Sequence, residues 1–198
     1  MATKTVKNPF PKNKLLTKAF ELANHHHRGQ ERKGGLPYIT HPVSVAKALL
    51  KARYEADVAA AGLLHDVLED TGCEYEEMLR AMGPRITRWV VQVTDRDKSV
   101  PWKVRKRNYL RFLRTASRPA LAVACADKTD NVRGLIEGFK NSGKRFGKQF
   151  SGKAKDKVAN YENVCRVIAR HYPSCPLLAD YKTELGKLKL FIGAFHGK

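Results

Sequence analysis

The stretch GLLHDVLEDTG, residues 62–72, decides how the chain is read. Its leucines and valine recur at helical spacing, yet His65, Asp66, Glu69 and Asp70 crowd into the same turns. Residues four apart share a helix face, so His65 lies under Glu69 and Asp66 under Asp70. One explanation is a solvated face with charges at the helix end. Against it, carboxylates near a helix C-terminus oppose the helix dipole, a placement that asks for a compensating cation.

Working outward, YITHPV (38–43) offers His41 just before a proline and a new helix. VACADKTDN (123–131) offers Asp127 after a run of small apolar residues, where burial is expected. Each has a bland explanation alone, as a helix cap or a packed ring. Together, His41, His65, Asp66 and Asp127 supply two imidazoles and two carboxylates, a fitting set for a divalent metal. A nitrogen and oxygen set without thiolate favours manganese, iron or magnesium over structural zinc.

The surrounding sequence is helical throughout. KLLTKAFELANHHH (14–27) carries an apolar stripe of Leu15, Leu16, Ala19, Leu22 and Ala23. RGQERKGGLPYITHP (28–42) breaks it with glycines and a proline and reads as a loop. Helices are then expected over 43–52 and, as one continuous alanine-rich element, over 54–70. PRITRWVVQVT (84–94) and PWKVRKRNYLRFLRTA (101–116) each begin with a proline suited to a first helical turn. A mostly buried helix follows over 119–139, a Lys/Gly-rich loop over 140–155, and two more helices over 157–172 and 178–191. No internal repeat and no hairpin pattern is visible. The expected class is all-α, with residues 1–198 forming one domain.

Composition bounds the rest. The chain has 198 residues, enough to bury a sizeable core. Its 38 Lys and Arg against 19 Asp and Glu give a net charge of +19, which favours anionic partners: nucleic acid, acidic lipid or a polyphosphorylated small molecule. No apolar run reaches the roughly 20 residues needed to span a bilayer, and the N-terminus lacks the apolar core of a secretory signal. Cys73, Cys125, Cys165 and Cys175 show no paired spacing, so a reduced, cytoplasmic setting is expected.

Four blocks narrow the function: RKGGLPYITHP (32–42), LLHDVLEDT (63–71), VTDRDKSVPWKVRKR (93–107) and ADKTDNVRGL (126–135). In order and spacing, from about residue 15 to about residue 170, they resemble the RelA/SpoT-type alarmone hydrolase domain of the HD phosphohydrolase superfamily, and most of all its stand-alone small members. That resemblance implies a Mn²⁺-dependent pyrophosphohydrolase that removes the 3′-diphosphate of (p)ppGpp. It implies His41, His65, Asp66 and Asp127 as metal ligands and Glu69 and Asp70 as the catalytic acidic pair. It also places Arg32, Lys33 and Tyr38 in the nucleotide pocket, Asn131 on the opposite wall, and Lys157 with Tyr161 near the nucleotide. A guanidinium stacking on a purine and an ammonium meeting a phosphate suit those roles.

Three positions depart from the commonest family pattern: Gly34 replaces a frequent serine, Leu36 a frequent acidic residue and Gly134 a frequent threonine. None offers a side chain that hydrogen-bonds a base, so adenine alarmones, (p)ppApp, are expected to be accepted beside guanine ones. Trp102 stands where small relatives often carry a lysine. The HHH run at 25–27 is read as a helix end, with His27 in the family block. Two alternatives remain open: an NADPH 2′-phosphatase on the same scaffold, and a basic nucleic-acid-binding module carried by the 140–157 segment, which has no recognised nucleic-acid motif.

Overall fold

Burial around one alanine-rich helix organises the molecule. The structure, a computed structural model, describes residues 6–32, 35–95, 99–150 and 154–196. In chain order the helices are α1 (Lys14–His26), α2 (Thr40–Lys51), α3 (Ala56–Leu64), α4 (Val67–Asp70), α5 (Tyr75–Val93), α6 (Trp102–Leu113), α7 (Arg118–Phe150), α8 (Ala154–His171) and α9 (Leu178–His196). Among the described residues the only β pairing is an isolated bridge between Glu31 and Pro37. The all-α expectation holds.

α3 is the hub. Every residue from Val58 to Leu64 is buried, and the helix packs against α1, α2, α5 and α7. Its small residues permit that. A Cβ added at Gly62 would stand 2.6 Å from Leu49 Cδ1 and 3.2 Å from Val45 Cγ1, so α2 approaches as near as a glycine allows. Leu63 and Leu64 are fully buried, each contributing about 1.5–3 kcal/mol of transfer free energy. α1 enters the core through Leu16, Ala19, Phe20 and Ala23, with Asn13 Oδ1 accepting from the Leu16 amide at its start.

The element expected over 54–70 is not continuous. It divides at His65 and Asp66 into α3 and the single-turn α4. The reason is local: the Gly62 carbonyl, the partner of the Asp66 amide in an unbroken helix, takes the His65 ring Nδ1 at 2.9 Å. Asp66 turns to φ −97°, ψ −8°, and the chain restarts with the Asp70 amide on the Asp66 carbonyl at 2.8 Å.

Two other expectations shift. The Lys/Gly-rich loop over 140–155 is helical as far as Phe150, as the C-terminal part of α7. Each helical glycine costs only about 1 kcal/mol, and lysine is a good helix former. The segment before Pro84 is also helical: α5 begins at Tyr75 and bends at Gly83, whose φ of 76° suits glycine and relieves the proline that follows.

Candidate active site

Four helices bring His41, His65, Asp66 and Asp127 to one point. His41 lies in the first turn of α2, His65 caps α3, Asp66 begins α4 and Asp127 sits on the buried face of α7. The two Nε2 atoms are 3.2 Å apart. Asp127 Oδ1 lies 3.3 Å from His41 Nε2 and 3.5 Å from His65 Nε2. Asp66 Oδ2 lies 3.0 Å from His65 Nε2 and 3.6 Å from His41 Nε2. His41, His65 and Asp127 are all buried, with one ligand atom each inside a 4.8 Å cluster.

The far side of each ring is already engaged. His41 Nδ1 is 2.6 Å from Asp130 Oδ2, and His65 Nδ1 is 2.9 Å from the Gly62 carbonyl. Both partners are acceptors, so each ring donates from Nδ1 and turns the Nε2 lone pair to the centre. Two lone pairs and two carboxylates facing one point fit a divalent cation. Without one, protons fill the role. Burial alone pushes the His65 imidazole down, but the Asp66 and Asp127 carboxylates reverse that and hold it well above its usual range. Burial opposes ionisation of Asp127 too, yet Lys128 and the imidazoles hold it well below the carboxylate range.

The carboxylates are held from outside. Asp127 accepts from Lys128 Nζ on one oxygen and from Asn131 Nδ2 on the other. Asn131, expected opposite the nucleotide loop, therefore also orients a metal-site carboxylate. Tyr38, expected in the nucleotide pocket, lines the cavity but commits its hydroxyl to Asp66 Oδ2 at 2.6 Å, while its ring packs 4.6 Å from that of His27. His27 in turn meets Gln30 through Nδ1 at 2.8 Å, in keeping with a helix end.

Glu69 and Asp70 stand on α4 beside this centre. Glu69 Oε2 accepts from the Asp95 amide at 3.0 Å, and buried Asp95 is fixed by Lys106 at 2.5 Å and Arg105 at 3.3 Å. Burial raises the Glu69 carboxyl; the Asp95 amide partly offsets this, and the neighbouring Asp66 adds to it. The Asp70 carbonyl accepts from Gln30 Nε2 at 3.0 Å, which pins the turn to the loop after α1.

Tyr38, Asp66, Glu69, Asp70, Asp127 and Asn131 line a polar cavity of about 230 Å³, which Lys157 and Tyr161 also reach from α8. Past Trp102, Lys106 and Asn160 it meets a second groove of about 430 Å³, lined by Arg107, Arg111 and Arg114. Arg32 faces α7: its Nη2 lies 3.0 Å from Asp130 Oδ2, the oxygen that holds His41. A Cβ at Gly134 would come within 3.0 Å of the same Nη2. Leu36 is 55% exposed, and its carbonyl accepts from the Arg32 amide at 2.8 Å. Lys33 and Gly34 lie outside the described residues.

Sequence reasoning missed Lys128, Asp95, Lys106 and Asp130. Asp130 carried a usable signal, since Asp127, Asp130 and Gly134 recur three and four residues apart and so share a helix face.

Comparison with known proteins agrees with this geometry. The HD domain family profile matches residues 19–148. The guanosine-3′,5′-bis(diphosphate) 3′-pyrophosphohydrolase MESH1 of Mus musculus is 40% identical over 124 residues, covering 61% of this chain and 69% of that protein. The bifunctional (p)ppGpp synthase/hydrolase SpoT of Escherichia coli is 34% identical over 128 residues, but the chain spans only 18% of its length. The corresponding share is also 18% for the 3′-pyrophosphohydrolase of Aquifex aeolicus, which is 37% identical over 122 residues. Among solved structures, a metazoan ortholog of SpoT that hydrolyses ppGpp superposes with a TM-score of 0.70 at 26% identity, covering 89% of this chain and 94% of that one. With its HD centre built from α2, α3 and α7, the chain belongs to the HD-domain family, as a homologue of the MESH1-type stand-alone ppGpp 3′-pyrophosphohydrolases and of SpoT hydrolase domains.

Proposed function

We propose that this chain is a Mn²⁺-dependent 3′-pyrophosphohydrolase of purine alarmones, (p)ppGpp and (p)ppApp, releasing pyrophosphate and a nucleoside 5′-di- or triphosphate. One observation carries the reading: two imidazoles locked with Nε2 inward meet two carboxylates beside a half-buried glutamate, at the wall of a polar cavity that also holds three lysines.

In this reading His41, His65, Asp66 and Asp127 would hold the ion, which would supply water activation and polarise phosphoryl oxygens. Glu69, kept in place by the Asp95 amide, takes the proton from the attacking water, since burial makes it a stronger base than a solvated glutamate. Asp70 stands 3.4 Å from the Tyr38 hydroxyl, close enough to share that phenol with Asp66 and to receive or return a proton as charge develops. Lys106 and Lys157 attract the phosphates, and the groove beyond Trp102 gives the other end of a doubly phosphorylated nucleotide a basic wall. Arg32, paired with Asp130 on α7 outside the lining of that cavity, is the guanidinium available to stack on the purine. Stacking carries no base identity, and Gly134 and Leu36 add no hydrogen-bonding side chain. Both purines are therefore expected to turn over.

The test is a product assay with Mn²⁺ across ppGpp, ppApp, NADPH and simple nucleotides. Pyrophosphate and a 5′-nucleotide from either alarmone are expected. A ratio of kcat/KM between the two above about a thousandfold, roughly 4 kcal/mol, refutes the stacking account of base tolerance. Orthophosphate from NADPH with no alarmone turnover replaces the proposal with a 2′-phosphatase. Salt-sensitive nucleic-acid binding without any hydrolysis removes the enzyme altogether.

A further inference from the structure

The histidine run at the end of α1 does more than close a helix. His26 Nε2 lies 2.9 Å from Glu77 Oε1 in the first turn of α5, and Cys73, in the turn between α4 and α5, joins them. One donor atom from each of the three falls within 4.8 Å of the other two. The His26 side chain is 12% exposed, that of Glu77 is 42% exposed, and Cys73 is buried. None of the three lines the catalytic cavity.

Three features separate this cluster from an ordinary ion pair. Its donors are nitrogen, sulfur and oxygen, the combination zinc accepts in tetrahedral sites, whereas the catalytic centre has no thiolate. Its dimensions suit an ion: bonds of about 2.0–2.3 Å put tetrahedral ligands roughly 3.3–3.8 Å apart, so small side-chain rotations close the set. Its surroundings are negative. His26 occupies the last turn of α1, where unpaired helix carbonyls favour a cation. Burial, then the Glu77 and Glu74 carboxylates, push the Cys73 thiol up to about 11 in the metal-free chain. A cation bound there removes the conflict between sulfur and carboxylates.

We propose that His26, Cys73 and Glu77 form a second divalent-cation site of the zinc class, with its fourth position open to water. The ion ties the end of α1 to the turn that follows Asp70, a region already linked by the Gln30 bond to the Asp70 carbonyl. It braces the wall carrying Glu69 and Asp70 and takes no part in chemistry. The two centres differ in kind, one of nitrogen and oxygen donors and one with a thiolate, so they are expected to sort different metals.

The test is a Co²⁺ titration of the metal-stripped full-length chain, because only a cobalt–thiolate bond gives the near-ultraviolet charge-transfer band. Two equivalents are expected, with that band present in the wild type and in His65→Ala. Cys73→Ser should lose the band and one equivalent while retaining Mn²⁺-dependent turnover. His26→Gln and Glu77→Gln, at less buried positions, should each weaken the band's apparent affinity tenfold or more, which covers a Cys73 variant that folds poorly. A single equivalent in the wild type overturns the proposal. So does a band that survives Cys73→Ser, which would move the thiolate to Cys125, Cys165 or Cys175, or no band at Co²⁺ levels that fill the catalytic centre.

Discussion

Replacing Asp130 with asparagine should damage two functions at once, because one oxygen serves both. Asp130 Oδ2 accepts from His41 Nδ1 at 2.6 Å and pairs with Arg32 Nη2 at 3.0 Å. Asparagine keeps the shape and loses the charge. On the buried His41 side, loss of the group that orients a ligating imidazole typically costs about 10–100-fold in metal affinity. On the Arg32 side, a hydrogen bond to a charged group is worth about 1.5–3 kcal/mol. Arg32 and Asp130 side chains are 24% and 18% exposed, so solvent screening reduces this to about 1–1.5 kcal/mol, near tenfold in KM. Calorimetric Mn²⁺ titration measures the first effect, and steady-state turnover at saturating Mn²⁺ the second. Gly134→Ala separates them: its new Cβ meets Arg32 Nη2 at 3.0 Å, so KM should rise while metal affinity stays put. Mn²⁺ affinity of Asp130→Asn within twofold of wild type would refute the shared-oxygen argument. So would an equal KM effect of the substitution in an Arg32→Ala background, where the pair no longer exists.

Three further outcomes follow from the geometry. His65→Ala or Asp127→Ala should abolish stoichiometric Mn²⁺ binding, measured by metal content after gel filtration; full turnover after exhaustive chelation contradicts the role given to the ion. Glu69→Gln should retain fold and metal but lose on the order of 10²-fold in kcat. Since burial raises the Glu69 carboxyl and the ionised form is the base, wild-type activity should fall as pH drops through a midpoint above the ordinary glutamate range, and the variant should lack that limb. Gly62→Ala should destabilise by about 1–3 kcal/mol, read as a lower denaturation midpoint, because its Cβ would overlap Leu49 Cδ1; an unchanged midpoint shows that α2 and α3 can part freely.

The helical class was legible because apolar residues recur at helical spacing through most of the chain. The grouping of His41, His65, Asp66 and Asp127 was legible because each stands at a helix end or on a buried face, where an ionisable group needs a partner. The break at His65 was hidden. Both residues keep right-handed backbone angles, and the cause is a ring nitrogen on the Gly62 carbonyl, which no hydrophobic pattern records. The extension of α7 to Phe150 was hidden for another reason: Lys- and Gly-rich sequence reads as a linker, yet the propensities oppose a helix only weakly. A partner such as the Asp95 amide for Glu69, 26 residues away, is a product of folding and leaves no local trace.

The division of the motif helix at His65 has a consequence for how the site can vary. α3 is embedded in the core on every side, whereas α4 is one turn held by Gln30 on the Asp70 carbonyl, Thr71 on the Val67 carbonyl and the Asp95 amide on Glu69. On the proposed roles, ion affinity and proton transfer would then have separate mechanical anchors, though Asp66 and Glu69 are three residues apart. Substitutions under α3 tune the first, and substitutions around Asp95 or Gln30 tune the second. In native-state hydrogen exchange the boundary should appear as a step, with amides of Ala59–Leu64 opening only on global unfolding and those of Glu69 and Asp70 opening locally. A lineage can then adjust how fast it turns over substrate without rebuilding the core that holds its metal.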